Sequence, residues 1–180
     1  MQKIIVLDRD GVINQDSDAF IKSAEEWQPI EGSIEAIKTL KMAGWRVAIA
    51  TNQSGIARGY YDRTALNAMH AKLQNLLEPY SIDWISFAPY LAQDYSPARK
   101  PGCGMLRAIE RALALNLKGA PMVGDTLVDV QAAQAMGMRP YLVRSGKGER
   151  TLAAHPYLAE RVLVFDNLLA LTRHLLDEVA

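Results

Sequence analysis

The chain has 180 residues, of which 49% are hydrophobic and 22% are charged, and its 20 basic side chains balance 20 acidic ones. A domain of this length buries enough apolar surface to fold without disulfides or a structural metal. One cysteine allows no internal disulfide, and the balanced charge argues against a nucleic-acid or anionic-membrane partner. Because no run reads as a signal peptide or membrane span, we expect one cytoplasmic domain over residues 1–180.

Short apolar runs with the length of buried strands recur along the chain. In order, they cover residues 4–7, 47–50, 84–87, 122–123, 141–143 and 162–165. Amphipathic segments separate most of these runs. This alternation predicts an α/β fold, with a three-layer, Rossmann-like parallel sheet that carries helices on both faces.

The segments between the strands have the apolar spacing of helices. The first helix is predicted to begin at Ser33, as its N-cap, and to end at Gly44, where a left-handed residue fits. Later helices are predicted over 62–77, 105–115 and 127–136, with a final helix after Asp166. Residues 88–104 are rich in Pro, Gly, Ser and Ala and predict a loop inside the domain.

Polar side chains follow four successive predicted strands. Asp8 and Asp10 lie two residues apart after the first strand, so both can project to the same side of an extended chain. Small hydrogen-bond donors follow the second strand, at Thr51, Asn52, Gln53 and Ser54. Two cations, Arg99 and Lys100, follow the third strand, and two carboxylates, Asp125 and Asp129, follow the fourth. Each group alone could be a polar turn or a helix cap. Together, at the edge where such sheets bind ligands, they indicate a phosphate site.

This arrangement resembles the haloacid dehalogenase superfamily of phosphotransferases. Its four motifs match Asp8 with Asp10, Thr51, Lys100, and Asp125 with Asp129. The segments LDRDGVIN, ATNQSGIARG, RKPGCGM, MVGDTLVD and LVRSGKG are similar to the branch of D-glycero-D-manno-heptose 1,7-bisphosphate phosphatases, over nearly the whole chain. Histidinol-phosphate phosphatases share much of the pattern and remain the alternative.

The resemblance implies a Mg²⁺-dependent phosphatase that uses an aspartyl-phosphate intermediate. Asp8 would attack phosphorus, while Asp10 would protonate the leaving sugar oxygen and later take a proton from water. The ion would be held by the side chains of Asp8 and Asp125 and by the main-chain carbonyl of Asp10. Thr51 and Lys100 would hold the phosphoryl oxygens. The removed group would be the C7 phosphate, on the way to the nucleotide-activated heptose of lipopolysaccharide core.

The substrate-binding residues are predicted on three loops. The segment 14–20 and the insert between Thr51 and Arg99 are too short for a cap domain, so the resemblance implies a capless fold. Arg99 would meet the sugar or its second phosphate. The other predicted contacts with the sugar phosphate are Asp16, Ser17, Asp18, Ala19, Asn52, Gln53 and Ser54. The sequence leaves open whether Arg58, Thr126 and Lys147 contact the substrate, and we expect a monomer.

One loop departs from the family pattern. Many members of the branch hold zinc with cysteine and histidine residues just before the Arg-Lys pair, where this chain has Ala88, Tyr90, Ser96 and Ala98. None of these is a good zinc ligand, so we expect zinc to be absent. Packing of Tyr90, Tyr95 and Pro97 is then expected to hold the loop instead.

Two other classes of protein share parts of this pattern. A response-regulator receiver also combines a parallel sheet with an acidic pair, a threonine and a lysine, but its phosphoacceptor follows the third strand. Here Asp8 belongs to the first acidic pair, and Lys100 precedes Asp125. A binding module without turnover is the third alternative, although all four motif positions keep competent side chains.

Overall fold

Residues 3–178, which the computed structural model describes, form an α/β fold around a parallel sheet of six strands. The strands are β1 (Ile4–Leu7), β2 (Arg46–Asn52), β3 (Trp84–Ala88), β4 (Pro121–Gly124), β5 (Arg139–Val143) and β6 (Leu163–Phe165). They lie in the order β3-β2-β1-β4-β5-β6, and every pairing is parallel. The predicted sheet is confirmed.

Helices lie between successive strands, and the last helix follows β6. They are α1 (Ser33–Met42), α2 (Arg63–Leu77), α3 (Gly104–Leu113), α4 (Leu127–Ala135), α5 (Gly148–Ala154) and α6 (Leu168–Asp177), with 3₁₀ turns at Ala92–Asp94 and Pro156–Glu160. Helix α5 was not predicted, because its seven residues are too few to show a clear apolar period. Within residues 3–178, no helix is both long and apolar enough to cross a membrane.

The start of α1 differs from the prediction by one residue. Gly32, not Ser33, is the N-cap, and it adopts a left-handed conformation with φ 78°. The hydroxyl of Ser33 instead donates to the carbonyl of Ile13 at 2.6 Å. The predicted cap was wrong because this buried hydroxyl bonds a loop distant in sequence rather than its own helix.

The core is divided by the sheet, as the three-layer prediction requires. Along β1, Ile5 and Leu7 face a cluster formed with α1, α2 and α6, whereas Ile4 and Val6 face a second cluster formed with α3 and α4. This alternation follows from the two-residue period of a strand. Both faces are buried, which explains why the central strands read as unbroken apolar runs.

The strand order places a crevice at the centre of the sheet. From β1 the chain passes outward through β2 to β3 and then crosses back to β4, on the other side of β1. Open parallel sheets bind ligands at such a reversal, beyond the carboxyl ends of the strands. The loops after β1, β2 and β4 therefore meet above one point.

Candidate active site

A cavity of about 260 Å³ opens at this reversal. Most of the predicted site residues line it: Asp8, Asp10, Asp16, Ser17, Asp18, Asn52, Gln53, Ser54, Arg99, Lys100 and Asp125. Two predicted residues do not. Thr51 has no exposed surface, and Ala19 is exposed outside the cavity wall. The wall also includes residues that were not predicted, above all Arg9 and Tyr61, and it includes Thr126 and Lys147.

Lys100 is the buried cation of the site. Its Nζ lies 2.9 Å from Oδ1 of Asp8 and 2.6 Å from Oδ1 of Asp129, and it donates to the carbonyl of Ala50 at 2.6 Å. Burial alone would lower the pKa of this lysine, but Asp129 and Asp8 outweigh burial and raise it. Lys100 therefore keeps its positive charge throughout the neutral range.

Asn52 holds the lysine in place through two reciprocal hydrogen bonds. The main-chain N–H of Lys100 donates to Oδ1 of Asn52 at 3.0 Å, and Nδ2 of Asn52 donates to the carbonyl of Lys100 at 3.2 Å. Both polar ends of this amide are thus used inside the protein. Asn52 joins the end of β2 to the Arg-Lys loop, although it was predicted to contact substrate.

Three carboxylates crowd the other side of the site. Oxygen atoms of Asp8, Asp125 and Asp129 lie within 4.8 Å of one another. Burial, together with repulsion from neighbouring carboxylates, raises the pKa of Asp8 to about 7 and that of Asp125 to about 8, against an ordinary 3.8. This crowding concentrates negative charge, which a bound divalent cation would neutralise.

The donor atoms in this group fit Mg²⁺. All three side chains offer carboxylate oxygens, which hard cations prefer. Asp129 is already engaged, since its Oδ2 accepts from the hydroxyl and N–H of Thr126 at 2.6 and 3.1 Å, and its Oδ1 faces Lys100. Asp8 and Asp125 are therefore the carboxylates left to hold an ion.

The segment after β5 fixes Asp125. The N–H of Lys147 donates to Oδ2 of Asp125 at 2.7 Å, and Oγ1 of Thr151 donates to its carbonyl at 2.8 Å. Gly11 and Gly146 have φ of 83° and 62°, and a Cβ at either position would collide with the same carboxylate. Only glycine allows this approach. The segment LVRSGKG could be recognised in the sequence, but its contact with Asp125 could not, because the two follow different strands, β5 and β4.

The carboxylate of Asp10 is held by donors on both oxygens. Nη2 of Arg9 donates at 2.9 and 3.0 Å, Nδ2 of Asn14 donates to Oδ1 at 2.8 Å, and Nε2 of Gln53 donates to Oδ2 at 2.7 Å. Burial would raise the pKa of Asp10, but Arg9 and these hydrogen bonds outweigh it and lower the pKa. Asp10 is therefore ionised at neutral pH in this arrangement, ready to accept a proton.

Comparisons with known proteins match this geometry. The family model for polynucleotide kinase 3 phosphatase matches residues 3–133, and a HAD-hydrolase-like model matches 97–171. The chain is 50% identical to the D-glycero-beta-D-manno-heptose-1,7-bisphosphate 7-phosphatase of Pseudomonas putida, over 97% of this chain and 99% of that protein. The chain belongs to the haloacid dehalogenase superfamily of phosphatases.

Further relatives of this haloacid dehalogenase phosphatase support the same assignment. The Pseudomonas aeruginosa protein of the same name is 49% identical, over 98% of this chain and 99% of that protein. A crystal structure of D,D-heptose 1,7-bisphosphate phosphatase from Bordetella bronchiseptica, complexed with magnesium and phosphate, has a TM-score of 0.93 and 46% identity, covering 98% and 99% of the two chains. The chain is a phosphoric monoester hydrolase, and the predicted superfamily and fold are confirmed.

A short loop closes one side of the phosphatase site. We call residues 16–20 the strap. Nζ of Lys147 lies 2.9 Å from Oδ2 of Asp16, and Arg150 pairs with Asp18 at 3.2 Å. At the far end, the ring of Phe20 packs edge-on against Tyr60, with centroids 5.1 Å apart.

The strap therefore bridges the two flanks of the cavity. Its two carboxylates already have cationic partners, Lys147 for Asp16 and Arg150 for Asp18, which fix the position of the strap. The guanidinium of Arg58 lies over the ring of Phe20, 5.8 Å from its centroid. Arg99 lines the opposite wall and donates to the carbonyl of Tyr90 at 3.1 Å. Burial and the nearby charge of Arg58 lower the pKa of Arg99.

The loop before Lys100 is not held as predicted. Tyr95 is 90% exposed and Tyr90 is 41% exposed, so the expected packing of these rings is wrong. Main-chain hydrogen bonds hold the loop instead, including Gly104 N–H to Pro97 O at 2.8 Å and Arg99 N–H to Ser96 O at 3.0 Å. Among residues 3–178, the three-aspartate group is the one cluster of metal-ligating side chains.

Proposed function

We propose that this phosphatase removes the C7 phosphate of D-glycero-beta-D-manno-heptose 1,7-bisphosphate through an aspartyl-phosphate on Asp8. The observation that carries the proposal is the position of the Asp8 carboxylate, 2.9 Å from the buried ammonium of Lys100 and beside the clamped carboxylate of Asp10. Relatives at 45–50% identity over nearly their whole length bear the name of this activity, including the beta anomer.

The first half of the reaction transfers the phosphoryl group to the protein. An Asp8 oxygen bonds to phosphorus, the bond from phosphorus to the sugar oxygen breaks, and Asp10 gives that oxygen a proton. A carboxylate and a phosphate charge repel by about 4 kcal/mol at 4 Å in a dielectric near 20. Lys100 offsets part of this repulsion, because its charge is fixed next to the carboxylate of Asp8.

The second half releases phosphate. Water attacks the phosphorus, its proton passes to the carboxylate of Asp10, and the bond to Asp8 breaks. Arg9, Asn14 and Gln53 hold Asp10 in the ionised form that accepts this proton. In the first half, the negative phosphoryl group raises the pKa of Asp10 by repulsion, which favours its loading with the proton it must donate.

Mg²⁺ is the proposed cofactor, held by the carboxylates of Asp8 and Asp125 with the main-chain carbonyl of Asp10. When bound, it supplies positive charge that neutralises the phosphoryl oxygens. The magnesium and phosphate in the Bordetella relative support this choice. We propose further that the protein is a zinc-free cytoplasmic monomer and that its product, a heptose 1-phosphate, supplies the nucleotide-activated heptose of lipopolysaccharide core.

A phosphate-release panel tests the substrate. With Mg²⁺, we expect the highest kcat/KM for the beta anomer of the heptose bisphosphate, ahead of the alpha anomer, fructose 1,6-bisphosphate and histidinol phosphate. Asp8→Asn is the control, and it should abolish release while leaving the circular dichroism spectrum unchanged. A preference for histidinol phosphate, or equal rates on all four, would overturn the substrate assignment. Activity that survives in Asp8→Asn would remove Asp8 as nucleophile.

A further inference from the structure

The side chain of Asp10, the proposed proton donor and acceptor, is held by Gln53 and Arg9, which are not among the motif residues Asp8, Asp10, Thr51, Lys100, Asp125 and Asp129. Gln53 is 3% exposed, and its Nε2 donates to Asp10 at 2.7 Å and to Oγ1 of Thr51 at 2.8 Å. Its Oε1 accepts from the hydroxyl of Tyr61 and from Nη2 of Arg9. Every polar atom of this amide is therefore used within the protein, which leaves it unsuited to bind a substrate.

Arg9 completes the arrangement. The side chain is 1% exposed, and its guanidinium pairs with Asp10 through Nη2 while Nη1 faces the sulfur of Met69 at 3.8 Å. A buried guanidinium is costly unless it is paired, so Arg9 and Asp10 hold each other in place. Because Gln53 also bonds both of them, a shift of Gln53 would displace the Asp10 carboxylate.

Tyr61 carries this network to the cavity wall. Its ring lines the cavity and packs so closely on Gly55 that a Cβ there would collide with it. Burial raises the pKa of Tyr61 to about 12, so its hydroxyl remains a donor to Gln53. A continuous path of hydrogen bonds thus leads from Tyr61 through Gln53 to Asp10.

We propose that Arg9, Gln53 and Tyr61 form a clamp that aims the Asp10 carboxyl at the departing oxygen, with Gln53 and Tyr61 as positioning residues for proton transfer. The proposal rests on the proposed role of Asp10. In the step concerned, Asp8 forms a bond to phosphorus, the bond from phosphorus to the ester oxygen breaks, and the electron pair left on that oxygen takes the Asp10 proton. In the transfer of the phosphoryl group to Asp8, the clamp matters only where the leaving oxygen needs that proton.

Leaving-group dependence provides the test. A sugar alkoxide is a poor leaving group that needs the proton, whereas the nitrophenolate of 4-nitrophenyl phosphate departs without one. In Gln53→Leu we expect kcat/KM on the heptose bisphosphate to fall at least about tenfold, and in Tyr61→Phe about threefold. On 4-nitrophenyl phosphate both variants should stay within about twofold of the wild type. The ratio kcat/KM is measured because it reports the steps up to loss of the leaving group and excludes hydrolysis of the intermediate.

Two comparisons make the outcome decisive. Tyr61→Phe removes one hydroxyl and keeps the ring, so it guards against misfolding in Gln53→Leu, and Tyr157→Phe, on a 3₁₀ turn outside the cavity, is the matched control. Equal loss on both substrates, or no loss on either, would overturn the clamp while leaving the proposed function intact. If the wild-type enzyme releases no phosphate from the heptose bisphosphate, the proposed function fails, and the clamp fails with it.

Discussion

Lys100 is the side chain on which we expect both the stability and the proposed chemistry of this site to depend. Its ammonium is enclosed between Asp8 and Asp129, with Ala50 supplying a carbonyl. Removing one partner from a buried ion pair usually costs more than the pair contributes, because the remaining charge is left uncompensated. Here the uncompensated charges would be two carboxylates in an already acidic centre.

Lys100→Met tests this electrostatic role. We expect a loss of about 3–5 kcal/mol in the free energy of unfolding, measured by urea denaturation without Mg²⁺, and a loss of phosphate release of at least about a hundredfold. Both follow from removal of the positive charge beside the carboxylate of Asp8, the proposed nucleophile.

The double variant Lys100→Met with Asp129→Asn separates the two effects. An asparagine oxygen can still accept from Thr126, so the helix start is kept while one unpaired charge is removed. We expect part of the stability to return without any return of activity. A double variant as unstable as Lys100→Met would show that lost packing, rather than unpaired charge, causes the instability.

The strap acts at the scale of a structural element. Two ion pairs tie it to the segment after β5. The Lys147–Asp16 pair is partly buried, whereas both side chains of the Arg150–Asp18 pair are about 70% exposed. Exposed pairs add little to stability and are screened by salt. We propose that they hold the strap against the cavity, where its order affects substrate binding rather than folding.

Arg150→Ala should therefore raise KM several-fold while kcat and the melting temperature stay unchanged, since the strap loses its outer tie but the chemistry is untouched. The difference in KM from the wild type should shrink as NaCl is added. Arg161→Ala, on the surface next to Tyr157, is the control for loss of an exposed arginine. A fall in kcat with KM unchanged would contradict the strap's role in binding.

The loop before Lys100 carries a prediction about metal content. Its backbone is held by main-chain hydrogen bonds and by close approach of Gly102 and Gly104 to Pro97, rather than by ligating side chains. Elemental analysis of the purified phosphatase should find zinc far below one equivalent, and a zinc chelator should leave its unfolding curve unchanged. One equivalent of bound zinc would contradict this.

At the scale of the whole molecule, the acidic centre makes stability depend on pH. Without an ion, Asp8 and Asp125 have pKa values of about 7 and about 8, so the folded protein holds more protons than the unfolded chain above pH 3.8. Stability from these groups is therefore lost as the pH rises through 7 and 8. His70 acts in the opposite direction, since burial lowers its pKa to about 4, but its effect is complete above 6.5.

In EDTA, the melting temperature should fall by a few degrees between pH 6.5 and about 8.5. Mg²⁺ should raise it more at the higher pH, because the ion binds the deprotonated carboxylates. Asp125→Asn should flatten the slope in EDTA and remove most of the response to Mg²⁺. A melting temperature in EDTA that rises over this range would contradict the assignment.

Most of the fold was predictable because its signals are local. Strands buried on both faces read as apolar runs, and a helix of fifteen residues such as α2 shows its period clearly. The short α5 gives no such signal, and Ser33 has the residue type of a cap while its hydroxyl bonds Ile13. The first error comes from a helix too short to show a period, and the second from a contact distant in sequence that decides a local feature.

The residues of the site also divide into those that local signals predict and those that depend on contacts distant in sequence. Asp8, Asp10 and Asp125 were predictable, because each directly follows a strand that borders the crevice, whereas Lys100 reaches the same cavity on the long loop after the edge strand β3. The residues that hold these side chains in place were not predictable. Arg9 looks like part of a polar turn until its bond to Gln53, 44 residues away, is seen. The exposed Tyr95 shows the converse error, since an aromatic ring was assumed to pack.

The contact between Gly11 and Gly146 has a consequence for the evolution of new substrate ranges. No side chain larger than hydrogen fits between these backbones and Asp125, so Gly11 and Gly146 cannot be replaced without moving the Asp125 carboxylate. The side chains of the strap have no such steric restriction, since Ser17 and Phe20 line the cavity and no residue of the strap is buried. A directed-evolution library for new phosphate esters should therefore randomise the strap and leave Gly11, Gly146 and Gly148 unchanged.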